Sequence, residues 1–295
     1  MNNDKIKGTF FAVLSAIIFG LTPVLSDLTF SMGSTPMTLT FYRNSMVVPV
    51  LLIVLLVRKV DLRISKRECL ELAIVGICFS AMTTWILYES YEFVGIGLAT
   101  TLHFLYPIFT VLFGFLFFRT KLDKPKIVAL VLATIGIALA TGSNGSFQVK
   151  GVALAVGSAI TYAAYLLGIE KTSISKMDSM KSMFYFCLFN SIALALIDIP
   201  RGQIMYLLEP LPMLYTLIVA VANSGFAYIL LIMGIKLIGA GNAAIYSMLE
   251  PVAGVISGII FLGEGLPPLK LISCLIIFTA VAIPIVCDMK ASRLK

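Results

Sequence analysis

Ten long apolar stretches constrain this chain more than any other feature of its sequence. Each is near the length of about 20 residues that a helix needs to cross the hydrocarbon of a bilayer. A transmembrane β-barrel would instead show short segments of alternating hydrophobicity, and these runs do not alternate. The sequence therefore predicts an all-α integral membrane protein with ten transmembrane helices. They lie at roughly 8–27, 34–57, 69–91, 94–118, 124–141, 149–170, 178–198, 211–235, 240–262 and 267–287.

The distribution of charge predicts how these helices are oriented. Only 13% of the residues are charged, against 59% that are hydrophobic, and the lysines and arginines are grouped between the stretches. With a cytoplasmic N-terminus, eighteen of them fall inside, while Lys150, Arg201 and Lys270 fall outside. We therefore predict a multi-pass protein of the cell membrane, inner or plasma, with both termini cytoplasmic. The net charge of +7 then indicates contact with anionic membrane lipid rather than with nucleic acid.

The residues that usually bind metals or cofactors are scarce. The chain has five cysteines without CxxC spacing, and His103 is its single histidine. A catalytic metal centre needs a cluster of histidine or acidic ligands, which one histidine does not supply. No nucleotide-binding motif is present either. The sequence thus predicts no metal, no cofactor and no enzymatic activity.

The sequence repeats itself about halfway along. "KGTFFAVLSAI" at 7–17 aligns with "KGVALAVGSAI" at 150–160, an offset of 143 at which seven of eleven residues are identical. At an offset of 144, residues 94–122 align with residues 238–266 and keep the same glycine and proline positions. The chain therefore contains two copies of one unit.

Each copy contains five helices, and this odd number determines how the copies are related. The predicted repeats are residues 1–142 and residues 143–295, combined in one membrane domain. Because five crossings end on the opposite side, the second copy enters the membrane inverted. Inverted repeats are typical of secondary transporters, in which two near-equivalent halves open one site alternately to each side. Duplication alone is also compatible with a channel.

Three motifs carry a family resemblance: "AIIFGLTPV" in the first helix, "FYRN" in the second and "LEPVAGVISGIIFLGEGL" across the ninth. They resemble the drug/metabolite transporter superfamily and, within it, the EamA type. The last motif is the most specific, because EamA-type halves commonly end their fourth helix with a proline-containing core and a glycine–glutamate pair, here Gly263 and Glu264. The first half has Arg119 and Thr120 at that place, and Phe19 stands where the family often has tryptophan.

The resemblance has consequences for fold and function. It implies a central substrate cavity between helices of both halves, with the fifth and tenth helices on the outside. It also implies transport of a small organic metabolite, and efflux of amino acids or related compounds is common in the family.

Four ionisable residues lie deep in the predicted helices: Arg43, Glu89, His103 and Glu250. A charge at the centre of a bilayer costs about 2.5–3.5 kcal/mol on insertion scales, so such residues usually face a partner or a cavity. His103 and Tyr106 are three residues apart, as are their repeat mates Ser247 and Glu250, which places each pair on one helix face. If the pseudo-symmetry holds, both faces line the substrate cavity.

Each of these candidates has a structural alternative. Glu250 could bind substrate or a coupling proton, or it could bond backbone groups released by Pro251. Arg43 could bind a substrate, pair with an acid such as Glu89, or extend to the membrane surface. His103 could be a ligand or a packing residue.

Aromatic residues complete the predicted lining of the cavity. An aromatic belt at the membrane interface would account for part of the same set. Pro107 and Pro251 predict breaks in the fourth and ninth helices. The aromatic candidates are Trp85, Tyr88, Tyr162, Tyr165, Tyr228 and Tyr246.

Together these features predict a secondary-active or facilitative transporter that moves a small organic metabolite by alternating access. An amino acid or related compound, carried outward, is the leading substrate class. Organic cations, drugs or nucleoside-like metabolites are the alternative, followed by a channel or a non-transporting membrane subunit. Protons are the candidate coupling ion, with Glu250 as their site, and the chain is expected to act as a monomer or homodimer.

Overall fold

The computed structural model describes residues 3–141, 148–204, 209–263, 265 and 267–293. Regular structure within these residues is helical. The helices are α1 (Asn3–Ser31), α2 (Pro36–Val57), α3 (Lys66–Ala73), α4 (Met82–His103), α5 (Tyr106–Phe118), α6 (Lys124–Thr141), α7 (Val149–Lys171), α8 (Ser179–Asp198), α9 (Pro210–Val219), α10 (Tyr228–Ile238), α11 (Ala240–Ser247), α12 (Glu250–Leu262) and α13 (Pro268–Arg293). Wider π-helical turns at Ile74–Ala81 and Ala220–Ala227 join α3 to α4 and α9 to α10. Glu264 and the predicted repeat boundary between residues 142 and 143 lie outside the described residues.

Ten membrane crossings can be traced through the described parts of the chain. Eight helical segments are long and apolar enough to cross a membrane, α5 is a shorter apolar helix, and α6 supplies the remaining crossing. The all-α prediction with ten helices is therefore confirmed. The predicted span 94–118 consists of two parts, because the end of α4 forms its first half and α5 its second.

The backbone repeats at the same offset as the sequence. Gly95 (φ 74°, ψ 162°) and Gly239 (φ 82°, ψ 156°) adopt one unusual conformation, which is open almost only to glycine. Twenty-four residues further on in each half, Arg119 (φ 53°) and Gly263 (φ 66°) both take the left-handed conformation that ends a helix. These matched breaks show that the two halves share one fold.

Glycines in the first helix of each half let the two halves interlock. A Cβ atom added to Gly8 of α1 would lie 2.7 Å from the side chain of Ile238. A Cβ atom on its repeat mate Gly151, in α7, would lie 2.6 Å from the side chain of Val94. Since α1 packs on α10 and α7 packs on α4, each half inserts its first helix into the other. The halves therefore form one integrated bundle.

The helices α6 and α13 lie at the periphery of this bundle. They pack mainly against each other. A Cβ atom added to Gly136 of α6 would lie 2.6 Å from the side chain of Ile277 in α13, so the two helices approach closely. Their outer faces carry exposed apolar side chains, among them Val131 and Phe278, as expected for contact with lipid. This arrangement agrees with the position that the family resemblance implies for the fifth and tenth helices.

Hydrogen bonds show which connections share a face of the molecule. The Tyr185 hydroxyl donates to the Leu62 carbonyl over 2.6 Å, and the Ser173 hydroxyl donates to Glu71 over 2.5 Å. The first bond joins α8 to the α2–α3 connection and the second joins α3 to the α7–α8 connection, so both connections lie on one face, as inverted repeats require. At the opposite end, the Thr38 hydroxyl donates to the Gln203 carbonyl over 3.3 Å.

Candidate functional site

The fourth helix of each half is interrupted near its middle. Helix α5 begins at Tyr106 with Pro107 second, and α12 begins at Glu250 with Pro251 second. A proline at this position loses no intrahelical bond, because the first N–H groups of a helix have no partner within it. The Glu250 carboxylate in turn lies at the positive end of the α12 dipole, which favours its negative charge. The helix break therefore determines the position of Glu250, and the backbone beside Pro251 does not need its carboxylate as a hydrogen-bond partner.

Arg43 of α2 supplies the opposite charge. Its Nε atom is buried and has no hydrogen-bond partner among the described residues. Arg43 and Glu250 lie close enough to interact electrostatically, although they are not in direct ion-pair contact. Opposite charges on α2 and α12 therefore lie within electrostatic reach of one another, and the Arg43 Nε atom is unpartnered among the described residues.

A row of aromatic rings runs beside these charges. The ring centroids of Tyr106 and Tyr162 lie 4.7 Å apart, and those of Tyr162 and Tyr165 lie 5.7 Å apart. Tyr228 follows at 6.3 Å from Tyr165. Glu250 interacts electrostatically with Tyr106, Tyr162 and Tyr228, so the row borders the acidic side of the site. Tyr162, Tyr165 and Tyr228 of the predicted aromatic set thus lie together with Tyr106 in one row.

A small polar cavity adjoins Arg43. Its volume is about 10 Å³, room for about one water molecule. The Asn190 amide nitrogen donates to the Ser80 hydroxyl over 3.2 Å, while its carbonyl oxygen is buried without a partner in the part of the chain that the structure describes. The lining consists of Arg43, Asn44, Ser80, Thr84, Tyr165, Met183, Phe186, Asn190 and Tyr228. A ligand that binds Arg43 would meet these polar groups next.

His103 is held by protein groups on several sides. Its Nδ1 atom lies 2.9 Å from the Ser158 hydroxyl, and its ring lies 5.5 Å from Tyr106 and 5.4 Å from Tyr162. This environment favours the packing alternative for His103, with an indirect effect on the site through Tyr106. The repeat mate of His103, Ser247, is buried, and its hydroxyl donates to the Ala243 carbonyl over 3.0 Å.

Four of the other candidates occupy different surroundings. Trp85 lies near the end of the bundle, where the Arg201 guanidinium is 5.2 Å from its ring. Arg201 also lies 3.9 Å from Glu89, so Glu89 pairs with Arg201 and not with Arg43. The Tyr88 hydroxyl accepts a hydrogen bond of 3.3 Å from Thr40. Tyr246 is 97% buried within the apolar core.

Several polar residues within the bundle lie outside the set that the sequence predicts. Tyr91 interacts electrostatically with both Glu250 and Arg43, and its ring lies 5.3 Å from that of Tyr88. Asn190 borders the polar cavity, and Asn223 donates to Thr22 over 2.9 Å. The sequence did indicate Asn190 and Asn223, because an amide side chain within an apolar helix must find a hydrogen-bond partner.

Within the described residues, no group of three or more histidine, cysteine or acidic side chains is placed to bind a metal ion.

Comparison with known proteins adds three findings. The model of the EamA-like transporter family matches the chain twice, at residues 6–142 and 149–285. The chain is 27% identical over 220 residues to the threonine/homoserine exporter RhtA of Escherichia coli (strain K12), which covers 72% of this chain and 70% of the exporter. A solved crystal structure superposes with a TM-score of 0.80 at 17% identity, covering 98% of each chain, and shows the same fold.

A further relative matches over almost the full length. The uncharacterized transporter YcbK of Bacillus subtilis (strain 168) is 25% identical over 294 residues, which is 92% of this chain and 90% of YcbK. These relatives are transporters, which confirms the predictions of a membrane transporter of small metabolites and of no enzymatic role. The two matches of the family model coincide with the two halves whose backbones repeat. The chain belongs to the EamA-like transporter family, within the drug/metabolite transporter superfamily.

Proposed function

We propose that this protein exports an amino acid, or a related zwitterionic metabolite, by alternating access. The observation that carries the proposal is that Arg43 and Glu250 carry opposite charges and lie within electrostatic reach without direct contact, and that the Arg43 Nε atom has no partner among the described residues. An amino acid presents a carboxylate and an ammonium group only a few ångströms apart. It would therefore bridge the two side chains, with the carboxylate on Arg43 and the ammonium on Glu250. The threonine/homoserine exporter among the relatives supports the same substrate class.

Electrostatics favours a bridging ligand over an empty site. Removing a charge from water is costly unless a partner or hydrogen bonds compensate. The guanidinium of arginine binds carboxylates through two parallel hydrogen bonds, which gives affinity and a fixed orientation. The unpartnered Asn190 oxygen nearby would then contact a polar side chain of the substrate.

Glu250 also supports coupling to protons. A desolvated carboxylate is neutralised either by a proton or by a cationic ligand. If the substrate ammonium and a proton compete for Glu250, release of one permits binding of the other. A proton gradient directed inward would then drive the substrate outward.

A second substrate class follows from the aromatic row. Tyrosine faces beside a carboxylate attract organic cations through cation–π contact. Such a cation would use Glu250 and Tyr228 and would leave Arg43 without a role. The response to substitution of Arg43 therefore separates the two classes.

We expect Arg43→Lys to fold normally and to lose most amino-acid transport, because lysine keeps the charge without the two-pronged geometry. Counterflow of L-threonine and L-homoserine into preloaded proteoliposomes measures this, and saturation with counterflow distinguishes a carrier from a channel. Loss of one bidentate pair should lower transport by about tenfold or more. Arg58→Lys is the control, since Arg58 is exposed at the end of α2. Unchanged amino-acid counterflow by Arg43→Lys and Arg43→Ala would favour the organic-cation alternative.

We further propose that the protein lies in the cell membrane with both termini cytoplasmic, on the basis of the eighteen basic residues on that side. Single cysteines at Lys59 and Ser175 should then be labelled only from the cytoplasm, and one at Gly202 only from outside. These cysteines are introduced in a background without the native ones. Labelling of Lys59 and Gly202 from the same side would overturn the orientation.

A further inference from the structure

The two ends of the bundle differ in how tightly the half-helices are packed. At the end that carries Glu170, α11 packs against α5 and against α7. At the opposite end, the repeat-mate contacts are nearly absent: α4 hardly touches α12 or α1. The half-helices therefore touch at the Glu170 end, hereafter the closed end, and hardly touch at the opposite, open end. A cavity of about 150 Å³, lined in part by Glu170, Gly239 and Asn242, lies beside the contact at the closed end.

Glu170 of α7 makes the hydrogen bond that joins α7 to α11 at the closed end. Its Oε2 atom accepts a hydrogen bond of 2.7 Å from the backbone N–H of Ala240, the first residue of α11. This N–H is exposed for bonding because Gly239 turns the chain sharply just before it. The other carboxylate oxygen accepts from the Lys171 ammonium over 2.6 Å. A charged acceptor on the N-terminus of a half-helix forms a strong, directional bond.

The open end contains a corresponding carboxylate and glycine turn, without a hydrogen bond between them. At the repeat offset of 143, Asp27 of α1 corresponds to Glu170, and at the offset of 144, Ile96 corresponds to Ala240. Gly95 precedes Ile96 with nearly the same backbone angles as Gly239. Asp27 is exposed, and in the part of the chain that the structure describes it has neither a hydrogen-bond nor an ion-pair partner. The carboxylate and the sharp glycine turn are thus both present at this end.

We infer that Glu170 and Asp27 are alternating latches that close opposite ends of the substrate pathway. In the state described here, Glu170 holds the N–H of Ala240 and Asp27 is released. In the opposite state, Asp27 accepts from the N–H of Ile96, and Glu170 releases Ala240. Because the two latches occupy equivalent positions in inverted repeats, breaking one shifts the population toward the state that the other holds. This inference rests on the alternating-access part of the proposed function.

Hydrogen–deuterium exchange of the full-length protein in nanodiscs tests the latches without any substrate. A lost charged hydrogen bond changes an equilibrium by roughly ten- to a hundredfold. We therefore expect Glu170→Gln to speed exchange in residues 239–247 by about tenfold and to slow it in residues 95–103. Asp27→Asn should do the opposite, and the double variant should return both segments toward the wild-type values.

The exchange rates at both ends of the molecule together distinguish coupled latches from a local effect. A purely local cap would change exchange only beside the substituted residue, and this result, or a change of the same sign at both ends, would overturn the inference. Glu170→Asp, which keeps the charge on a shorter side chain, provides the same readout if Glu170→Gln does not fold. Glu92→Gln is the control, because Glu92 is an exposed carboxylate two residues before Val94 and should leave both segments unchanged. Failure of amino-acid counterflow would not affect this readout, so the two proposals fail separately.

Discussion

Glu250→Gln is expected to give a folded protein whose transport no longer responds to a pH gradient. Glutamine keeps the size and hydrogen-bonding capacity of glutamate but neither ionises nor releases a proton. The variant also loses the attraction between Glu250 and a substrate ammonium, worth about 1.5–3 kcal/mol for a hydrogen bond to a charged group. Counterflow of amino acid should therefore weaken by about tenfold or more. Proteoliposomes with and without an imposed pH gradient measure both effects.

Two further variants show whether this effect belongs to the carboxylate itself. Glu209→Gln removes an exposed carboxylate at the start of α9 and should behave like the wild type. Pro251→Ala should also be tolerated, because Pro251 occupies the second position of α12, where no helical bond is lost. Should Glu250→Gln retain its pH response while Pro251→Ala abolishes expression, Glu250 is a structural companion of the proline and the proposed site is wrong.

Among the variants described, Gly20→Ala is expected to cause the largest loss of folding stability. A Cβ atom at this position of α1 would lie 2.5 Å from the Glu250 carbonyl oxygen and 2.5 Å from the Ala253 Cβ atom of α12. Neither neighbour is a flexible side chain, so the helices must separate. Overpacking of this kind costs typically 1–3 kcal/mol and occasionally more, and we expect about 3 kcal/mol here. A thermal-shift assay of the purified protein should show a clearly lowered Tm.

The control for Gly20→Ala is the same substitution at Gly157 of α7. There the nearest atom to an added Cβ is the Ile86 Cδ1 at 3.6 Å, an ordinary van der Waals distance. Alanine is a better helix former than glycine by about 1 kcal/mol, so Gly157→Ala should hold or raise the Tm. Equal Tm values for the two variants would show that the close approach of α1 to α12 is not present in the protein in solution.

The sequence points to candidate site residues only where one residue carries a distinctive energetic cost. Glu250 and Arg43 were identified because charges within apolar helices require compensation, and the structure places them close enough to interact. Tyr91 was missed because tyrosine is common in membrane helices and has no comparable cost. Glu89 was considered as a partner for Arg43, but the fold brings Arg201 beside it instead. Nothing local to α4 could reveal that contact, since it depends on a connection more than 100 residues away.

The sequence by itself determined the solvent, the number of crossings and the inverted duplication, because hydropathy and repetition are properties of neighbouring residues and of one fixed offset. Only the tertiary structure decided which side of each helix faces the interior of the bundle. Lipid and protein interior are both apolar, so a membrane helix is hydrophobic on all sides and its sequence period does not separate inside from outside. The structure likewise decided that Arg119 adopts the left-handed conformation of Gly263, and that Glu170 is bonded while Asp27 is free within the described residues. Those choices depend on contacts between the two halves, which arise only when the bundle is assembled.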